Sequence, residues 1–379
     1  MKVVVAMDSF KGCISSIDGS QAVALGIHDV WPEAEVDCIP LADGGEGTVE
    51  ALVAATGGKY IPKSVTGPLG SPVEAVYGVL GDNHTAVIEV AAACGLPLVQ
   101  LNERNPLLTT SYGVGELIAD ALSRGCRSMI IGLGGSATND AGTGMLQALG
   151  FRFLDSHGQE AGRGGQSLAA IRSIELAGVN PELAKCRFHV ACDVNNPFYG
   201  EHGAAYVFAP QKGAGPEMVQ QLDLGMRSFA DVVKSATGKD IQRIAGAGAA
   251  GGLGAAFSAL LNAKLEPGIQ LIASHAGLQR RIADADFVIT GEGKLDEQTS
   301  MGKAPIGMAK LARQLGIPVL ALGGSIPQDT TSLNEQGITS CFSITNGPMS
   351  LEEAMEKQVA LNNLRLCASQ LFRLIRAIR

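Results

Sequence analysis

The sequence predicts an α/β fold in which a doubly wound parallel sheet is interrupted by an inserted, mixed α/β domain. Three observations carry that expectation. Short, wholly apolar runs such as Val3-Val4-Val5-Ala6 are each followed by a polar, often glycine-rich loop and then a helical segment, the pattern of strands buried on both faces of a parallel sheet. The alternation stops after residue 66 and resumes only near 285. A chain of 379 residues also fills two domains more readily than one.

Taken in order, Val3–Ala6 is the first strand, and it ends in Met7-Asp8-Ser9-Phe10-Lys11-Gly12. Ser15 or Ser16 then caps a helix through about His28. The second strand, Val36–Ile39, runs into Leu41-Ala42-Asp43-Gly44-Gly45-Glu46-Gly47-Thr48, and a helix follows from Val49 to about Ala55. Between 67 and 100, Val73–Leu80 and Thr85–Val90 flank Gly81-Asp82-Asn83 and read as an antiparallel hairpin. Met129–Leu133 is a buried strand leading into Gly134–Asp140 and a helix near 141–149; His189–Cys192 is another strand, ending at Asp193. Residues 217–236 have helical periodicity, and 245–263 are rich in Gly and Ala.

The regular pattern returns with the strand Phe287–Thr290, the loop Gly291–Asp296 and a helix near 304–315. Strands Val319–Leu322 and Cys341–Ile344 follow, then a C-terminal helix from about Leu351. The first two strands and the last three make a five-stranded, flavodoxin-like parallel set from residues 1–66 and 285–379, with 67–284 as the insert. No repeat of solenoid period is present.

Composition narrows the function. Hydrophobic residues make up 46% and charged residues 17%, with mean hydropathy +0.18, which is globular rather than disordered. Net charge is −8 and no basic run occurs, which argues against nucleic acid or an anionic membrane as partner. Forty-nine glycines beside 4% aromatics suit tight turns, not base-stacking platforms. Eight single cysteines form no CxxC pair and no zinc-finger spacing. No signal-like h-region and no run of about 20 apolar residues occurs. A reduced, cytoplasmic protein is the expectation.

In an open α/β sheet, ligands bind outside the carboxyl ends of the strands. The polar residues there are Asp8, Ser9 and Lys11; Asp43, Gly44, Gly45, Glu46 and Thr48; Ser136, Thr138, Asn139 and Asp140; Asp193, Asn195 and Asn196; and Glu292, Lys294 and Asp296. Glycine beside Ser, Thr or Lys at a helix-opening loop suits phosphate, and Gly134–Thr138 is the best example. Strand-end aspartates suit Mg²⁺, and the combination suits phosphoryl transfer.

Plainer readings stand beside these. Asp43-Gly44-Gly45 also fits a turn with a helix cap, and a lone strand-end aspartate such as Asp193 is more often a cap than a catalyst. Lys212 reads as a solvated surface lysine, and His189 as a packed strand residue. No Walker A motif exists, since Gly302-Lys303 is followed by Ala304. Gly246-Ala247-Gly248-Ala249-Ala250-Gly251 matches GxGxxG but follows no convincing strand, so close packing is the favoured reading over a dinucleotide fingerprint.

Six segments in register resemble the bacterial glycerate kinase type 1 family over the whole chain. They are Asp8–Gly12, Ala42–Thr48, Gly134–Asp140, Ala191–Val194, Gly203–Ala205 with Pro210–Ala214, and Thr290–Asp296 with Gln298, Thr299 and Gly302–Pro305. Three positions depart from the family's usual pattern: Met7 for Pro, Lys294 for Arg, and Ala141 for Gly. The Lys294 change matters most, because lysine lacks arginine's two-point grip on a carboxylate or phosphate.

The resemblance implies a restriction-enzyme-like topology for the insert and ATP-dependent phosphorylation of (R)-glycerate to 2-phosphoglycerate, within glycolate, glyoxylate, glucarate or galactarate breakdown. The expected residues follow from it. Asp8, Ser9, Lys11, Gly44, Gly45, Glu292 and Lys303 would bind substrate, with Lys11 and Lys294 at the reacting group. Gly134, Gly135, Ser136, Ala137, Thr138 and Asn139 would hold ATP; Asp43, Asp140 and Asp193 would hold Mg²⁺; Asp193 or Asp296 would take the hydroxyl proton. Alternatives are a 3-phosphoglycerate-forming kinase, a nicotinamide-dependent hydroxy-acid oxidoreductase, and a non-catalytic sensor of small anions. A homo-oligomer is left open.

Overall fold

The computed structural model describes residues 1–296, 299 and 303–378. Gln298 and Gly302, two positions of the family pattern, lie outside the described residues. In chain order the strands are β1 (Lys2–Met7), β2 (Glu35–Cys38), β3 (Lys59–Thr66), β4 (Pro72–Val79), β5 (Thr85–Glu89), β6 (Ser128–Gly132) and β7 (Arg152–Leu154). They continue as β8 (Ser173–Glu175), β9 (Arg187–Ala191), β10 (Lys264–Glu266), β11 (Phe287–Lys294), β12 (Val319–Ser325) and β13 (Ser340–Ser343). The chain divides into two compact units. The first holds Met1–Asp43, Glu50–Thr56 and the chain from Pro267 onward; the second holds Gly44–Val49 and Gly57–Glu266.

The first unit is a five-stranded parallel sheet in the order β13-β12-β11-β1-β2. Counted within the unit this is the 2-1-3-4-5 order of flavodoxin-like folds, whose direction reverses between β1 and β11. The apolar run of β1 is fully buried, as a strand covered on both faces requires. On one face the helix Ser16–His28 packs against the helix Lys357–Ile378. Gly26 permits that crossing, since a Cβ there would lie 2.3 Å from the Arg365 carbonyl oxygen. Ser15 caps the first helix by accepting from the Asp18 amide. Val23, Ile27, Ile289, Leu322, Leu364 and Phe372 lie in the core between sheet and helices.

The second unit is built on a six-stranded mixed sheet, β10-β9-β6-β5-β4-β3, with a small β7-β8 ribbon. Four neighbouring strands, β5, β6, β9 and β10, are parallel; β3, β4 and β5 are antiparallel neighbours. The expected hairpin is present as β4 and β5. Helices Tyr112–Ser123 and Thr143–Ala148 meet at Gly115, where a Cβ would sit 2.2 Å from the Met145 carbonyl oxygen. Phe153, Phe198 and Phe229 stack along the core beside the helix Pro216–Thr237.

The units divide at 56/57 and 266/267, rather than at the expected 66/67 and 284/285. Strand β3 pairs with β4 from Lys59↔Val79 to Thr66↔Pro72 and so belongs to the second sheet. It is an edge strand carrying Pro62, with a mostly exposed surface, so it lacks the apolar run that marks the others. At the other end, Ile269 packs on Gly307 of the helix Ala304–Gln314, which brings 267–284 into the first unit.

Candidate functional site

The first unit gathers its charges at the carboxyl ends of its strands. Asp8 follows β1 and is 1% exposed. Its Oδ1 accepts from the Ser9 amide at 2.7 Å, while Oδ2 is buried with no hydrogen-bond partner. Burial, and then the neighbouring carboxylates of Asp43 and Glu292, push this carboxyl up to about 7 against the pull of the Ser9 N–H and Lys11. Lys11 donates to Asp43 Oδ2 at 2.9 Å. Burial draws its pKa down, but Asp43, Asp8 and Glu292 outweigh that and hold the ammonium above its ordinary value.

Glu292, on β11, is also buried, and burial raises its pKa; it accepts from Thr299 Oγ1 at 2.5 Å and feels the charge of Lys303. The Asp296 amide donates to Thr299 Oγ1 at 2.9 Å, and Lys294 Nζ lies 3.4 Å from the Asp296 carboxylate. Lys303 is the N-cap of the helix Ala304–Gln314. Ser9, Lys11, Glu292, Lys294, Asp296 and Lys303 all line one cavity of about 350 Å³. Of the residues expected to bind or act on substrate, this unit brings together Asp8, Ser9, Lys11, Glu292, Lys294, Asp296 and Lys303, with Asp43 from the expected metal set.

The second unit carries Gly44, Gly45, Gly134–Asp140 and Asp193. Its loops touch through backbone alone: a Cβ on Gly132 would lie 2.5 Å from the Gly44 carbonyl oxygen, and one on Gly134 2.7 Å from Gly45 Cα. Gly135 is exposed and Gly134 half-buried, while Ser136, at 5% exposure, is buried along with Ala137, Thr138 and Asn139. Of the six residues expected to hold ATP, the first three keep some exposure, Ser136 the least. The other three positions point into the protein: Thr109 Oγ1 donates to the Ala137 carbonyl, and Asn139 Nδ2 lies against Met226 Sδ.

Lys212 corrects its sequence reading most sharply. It is 2% exposed, not a surface lysine, and donates to Ser136 Oγ at 3.0 Å and the Thr138 carbonyl at 2.6 Å. Burial lowers its pKa to about 8. Only Pro210 and Gly213 around it hinted at a constrained turn, and Lys212 closes the short helix Pro210–Lys212.

Asp140 is corrected too. It is wholly buried, and its two oxygens accept from the Ser111 N–H and Oγ–H and the Gly142 and Gly144 amides. A carboxylate so occupied anchors the loop and has no lone pair facing an open site for Mg²⁺. Asp193 follows β9 in an exposed segment. His189 pairs with Glu266 across β9 and β10 at 2.9 Å, and so is a strand residue as expected.

The GxGxxG segment is a packing device. A 3₁₀ turn, Ile241–Arg243, precedes it instead of a strand. Ala250, Gly251 and Gly252 all have positive φ, and a Cβ on Gly251 would lie 2.1 Å from the Thr138 carbonyl oxygen. It supports the 138–139 loop from below, and the dinucleotide reading loses its basis.

The family model described as the glycerate kinase family matches residues 3–376. The chain belongs to the glycerate kinase family. It is 48% identical to a glycerate kinase of Bacillus subtilis (strain 168), over 94% of this chain and 93% of the relative. It is 46% identical to the glycerate 2-kinase of Escherichia coli (strain K12), over 93% of this chain and 93% of the relative. A crystal structure from Salmonella typhimurium LT2, assigned as a glycerate kinase 2, superposes with TM-score 0.90 at 44% identity, covering 100% of this chain and 98% of that one. Membership makes this chain an ATP-using phosphotransferase.

Proposed function

We propose that the chain transfers the γ-phosphoryl group of ATP to the 2-hydroxyl of (R)-glycerate. The observation that carries this reading is the first unit's strand-end cluster, where Lys11, Lys294 and Lys303 line one cavity with Glu292 and Asp296, and Asp43 and Asp8 stand beside Lys11. The lysines neutralise the transferring phosphoryl group, and positioning with charge stabilisation supplies most of the rate. The 2-hydroxyl oxygen attacks the γ-phosphorus, the bond to the bridging oxygen of ADP breaks, and the hydroxyl proton passes to Asp296. Asp296 is preferred over Asp193 because it lines the cavity beside Lys294. In the second unit, the Gly134–Ser136 turn, with Ser136 held by Lys212, receives a phosphate or carboxylate oxygen.

Asp8 and Asp43 fit a hard cation: Asp8 Oδ2 is buried and unpartnered, and the neighbouring Asp43 charge adds to the burial that raises the Asp8 pKa. Among the described residues no three His, Cys, Asp or Glu side chains form a dedicated metal cage, in keeping with Mg²⁺ carried largely by phosphate oxygens and water. When bound there, Mg²⁺ supplies charge neutralisation at the phosphates.

The eight cysteines are free thiols, which supports a reducing, cytoplasmic site of action; no described helix is long and apolar enough to span a membrane. The test is ADP release with ATP, Mg²⁺ and D-glycerate, with phosphorus NMR of the product. Glycerate-dependent release with a 2-phospho product supports the reading. A 3-phospho product overturns the regiochemistry, and no release overturns the activity.

A further inference from the structure

The first-unit cavity is built for more than a small anion. Its lining divides by chemistry: Lys11, Glu292, Lys294, Asp296 and Lys303 are charged, and a second set, Phe10, Ile344, Leu351, Ala354, Met355 and Ala360, is apolar. Glycerate carries a carboxylate and two hydroxyls on three carbons and has no apolar surface to bury against that second set, so placing it there costs desolvation without return. A volume of about 350 Å³ with mixed apolar lining and a few polar groups is the size and character of a site for a ring-bearing ligand. We infer that the nucleoside of ATP binds in this cavity of the first unit, with its base against Phe10, Leu351, Ala354 and Met355 and its phosphates toward the lysines. This rests on the kinase reading above and moves the nucleotide away from the Gly134–Asn139 loop, where the sequence had placed it.

Three further features support the assignment. The cavity lies where strand order predicts a ligand: its walls come from the residues just after β1, the end of β11, the end of β12 and the residues after β13, beside the reversal between β1 and β11. Its rim presents large apolar side chains to solvent, with Leu351 76% exposed and Met355 41% exposed. That rim is also preorganised. Leu351–Ala354 is a single helical turn fixed by a capping box, in which Ser350 N–H donates to Glu353 Oε2 at 2.8 Å and Glu353 N–H to Ser350 Oγ at 3.2 Å. Gly12, with φ +75°, brings the chain close under the Met355 methyl, where a Cβ would lie at 3.5 Å. Exposed apolar groups held in place cost free energy unless a ligand covers them, and a purine face would.

The experiment has two arms on the full-length protein. In the first, Ala354→Phe fills the cavity and Met355→Ala trims its rim. Each variant's KM for ATP and for glycerate is measured, with a thermal melt to confirm folding. The expected result is a rise in KM for ATP of about tenfold or more for Ala354→Phe and about threefold for Met355→Ala, with KM for glycerate within about twofold. An unchanged KM for ATP in both folded variants, or a rise in KM for glycerate alone, overturns the assignment. In the second arm, an azidoadenine nucleotide is photolysed on the wild-type protein and the labelled peptide is mapped. Label within residues 8–13 or 341–363 supports the assignment; label confined to 134–140 or 193–212 overturns it. The second arm reads binding without turnover, so it decides the nucleoside site even if glycerate proves not to be the acceptor.

Discussion

Asp8, directly after β1, and Asp140, eight residues beyond β6, are both buried aspartates past the carboxyl end of a central strand, yet the two units treat them in opposite ways. Asp140 is surrounded by donors that meet both oxygens. Asp8 has one oxygen satisfied and the other buried without a partner, facing the fields of two more carboxylates. The difference separates a carboxylate spent on architecture from one held ready. Folding does not leave a polar atom buried and unpaired without cost, so the unbalanced cluster of the first unit marks the ligand-facing ground. The satisfied network of the second unit marks a rigid loop support.

The comparison can be broken at either end. The largest effect is expected at Asp140. Replacing it with Ala strands the Ser111, Gly142 and Gly144 donors, and urea unfolding should show a loss of about 3–5 kcal/mol. A loss under about 1 kcal/mol would deny it the anchoring role. Next is Lys11→Ala, whose half-exposed side chain contributes little to folding. Here kcat/KM should fall about 10²–10³-fold with the melting temperature nearly unchanged, if the ammonium stabilises transferred charge.

Asp8→Asn should act on stability with the opposite sign to Asp140→Ala. The folded pKa of Asp8, about 7, lies above its unfolded value near 4. The folded state thus holds the proton more tightly, and stability declines as pH rises from about 4 through about 7. Asn removes that decline, so the variant should gain on the order of 1–3 kcal/mol at pH 8 relative to wild type while losing activity. Urea titrations at pH 5 and pH 8 measure it; equal stability differences at both values would remove the premise. The smallest effect is expected for Lys294→Arg. The exposed side chain keeps its charge and its neighbour Asp296, so a change in KM for glycerate of about twofold to fivefold is expected, with kcat retained.

Much of the first unit was legible because its central strands β1, β11 and β12 are buried on both faces, and such apolar runs stand out in a sequence. The order of strands and the cluster at their ends followed from that pattern together with the rule that ligands sit at carboxyl edges. The second unit was less legible for equally physical reasons. β3 is a proline-bearing edge strand, and β7, β8 and β10 are three residues each, too short to show a period. The burial of Lys212 was hidden because a lone lysine in a glycine-flanked turn looks the same whether it meets solvent or a Ser136 hydroxyl 76 residues away in sequence. The same limit made the Gly134–Asn139 loop look more open than it is: sequence shows which residues can face a ligand, not which way they turn. The apolar half of the first-unit cavity was invisible too, since its wall is assembled from segments more than 300 residues apart.

The strand order also sets a timetable for synthesis. β1 has β2 on one side, but its other neighbour, β11, begins at Phe287. A ribosome adding about 5–20 residues per second therefore leaves the inner edge of β1 without its mate for some tens of seconds. During that interval the whole of Gly57–Glu266 emerges and has time to collapse around its own sheet. The early strand pair is an open template for wrong partners until translation is three-quarters done. A nascent chain stalled before β11 should therefore be a strong client for a ribosome-associated chaperone, and one stalled well beyond β13 should not.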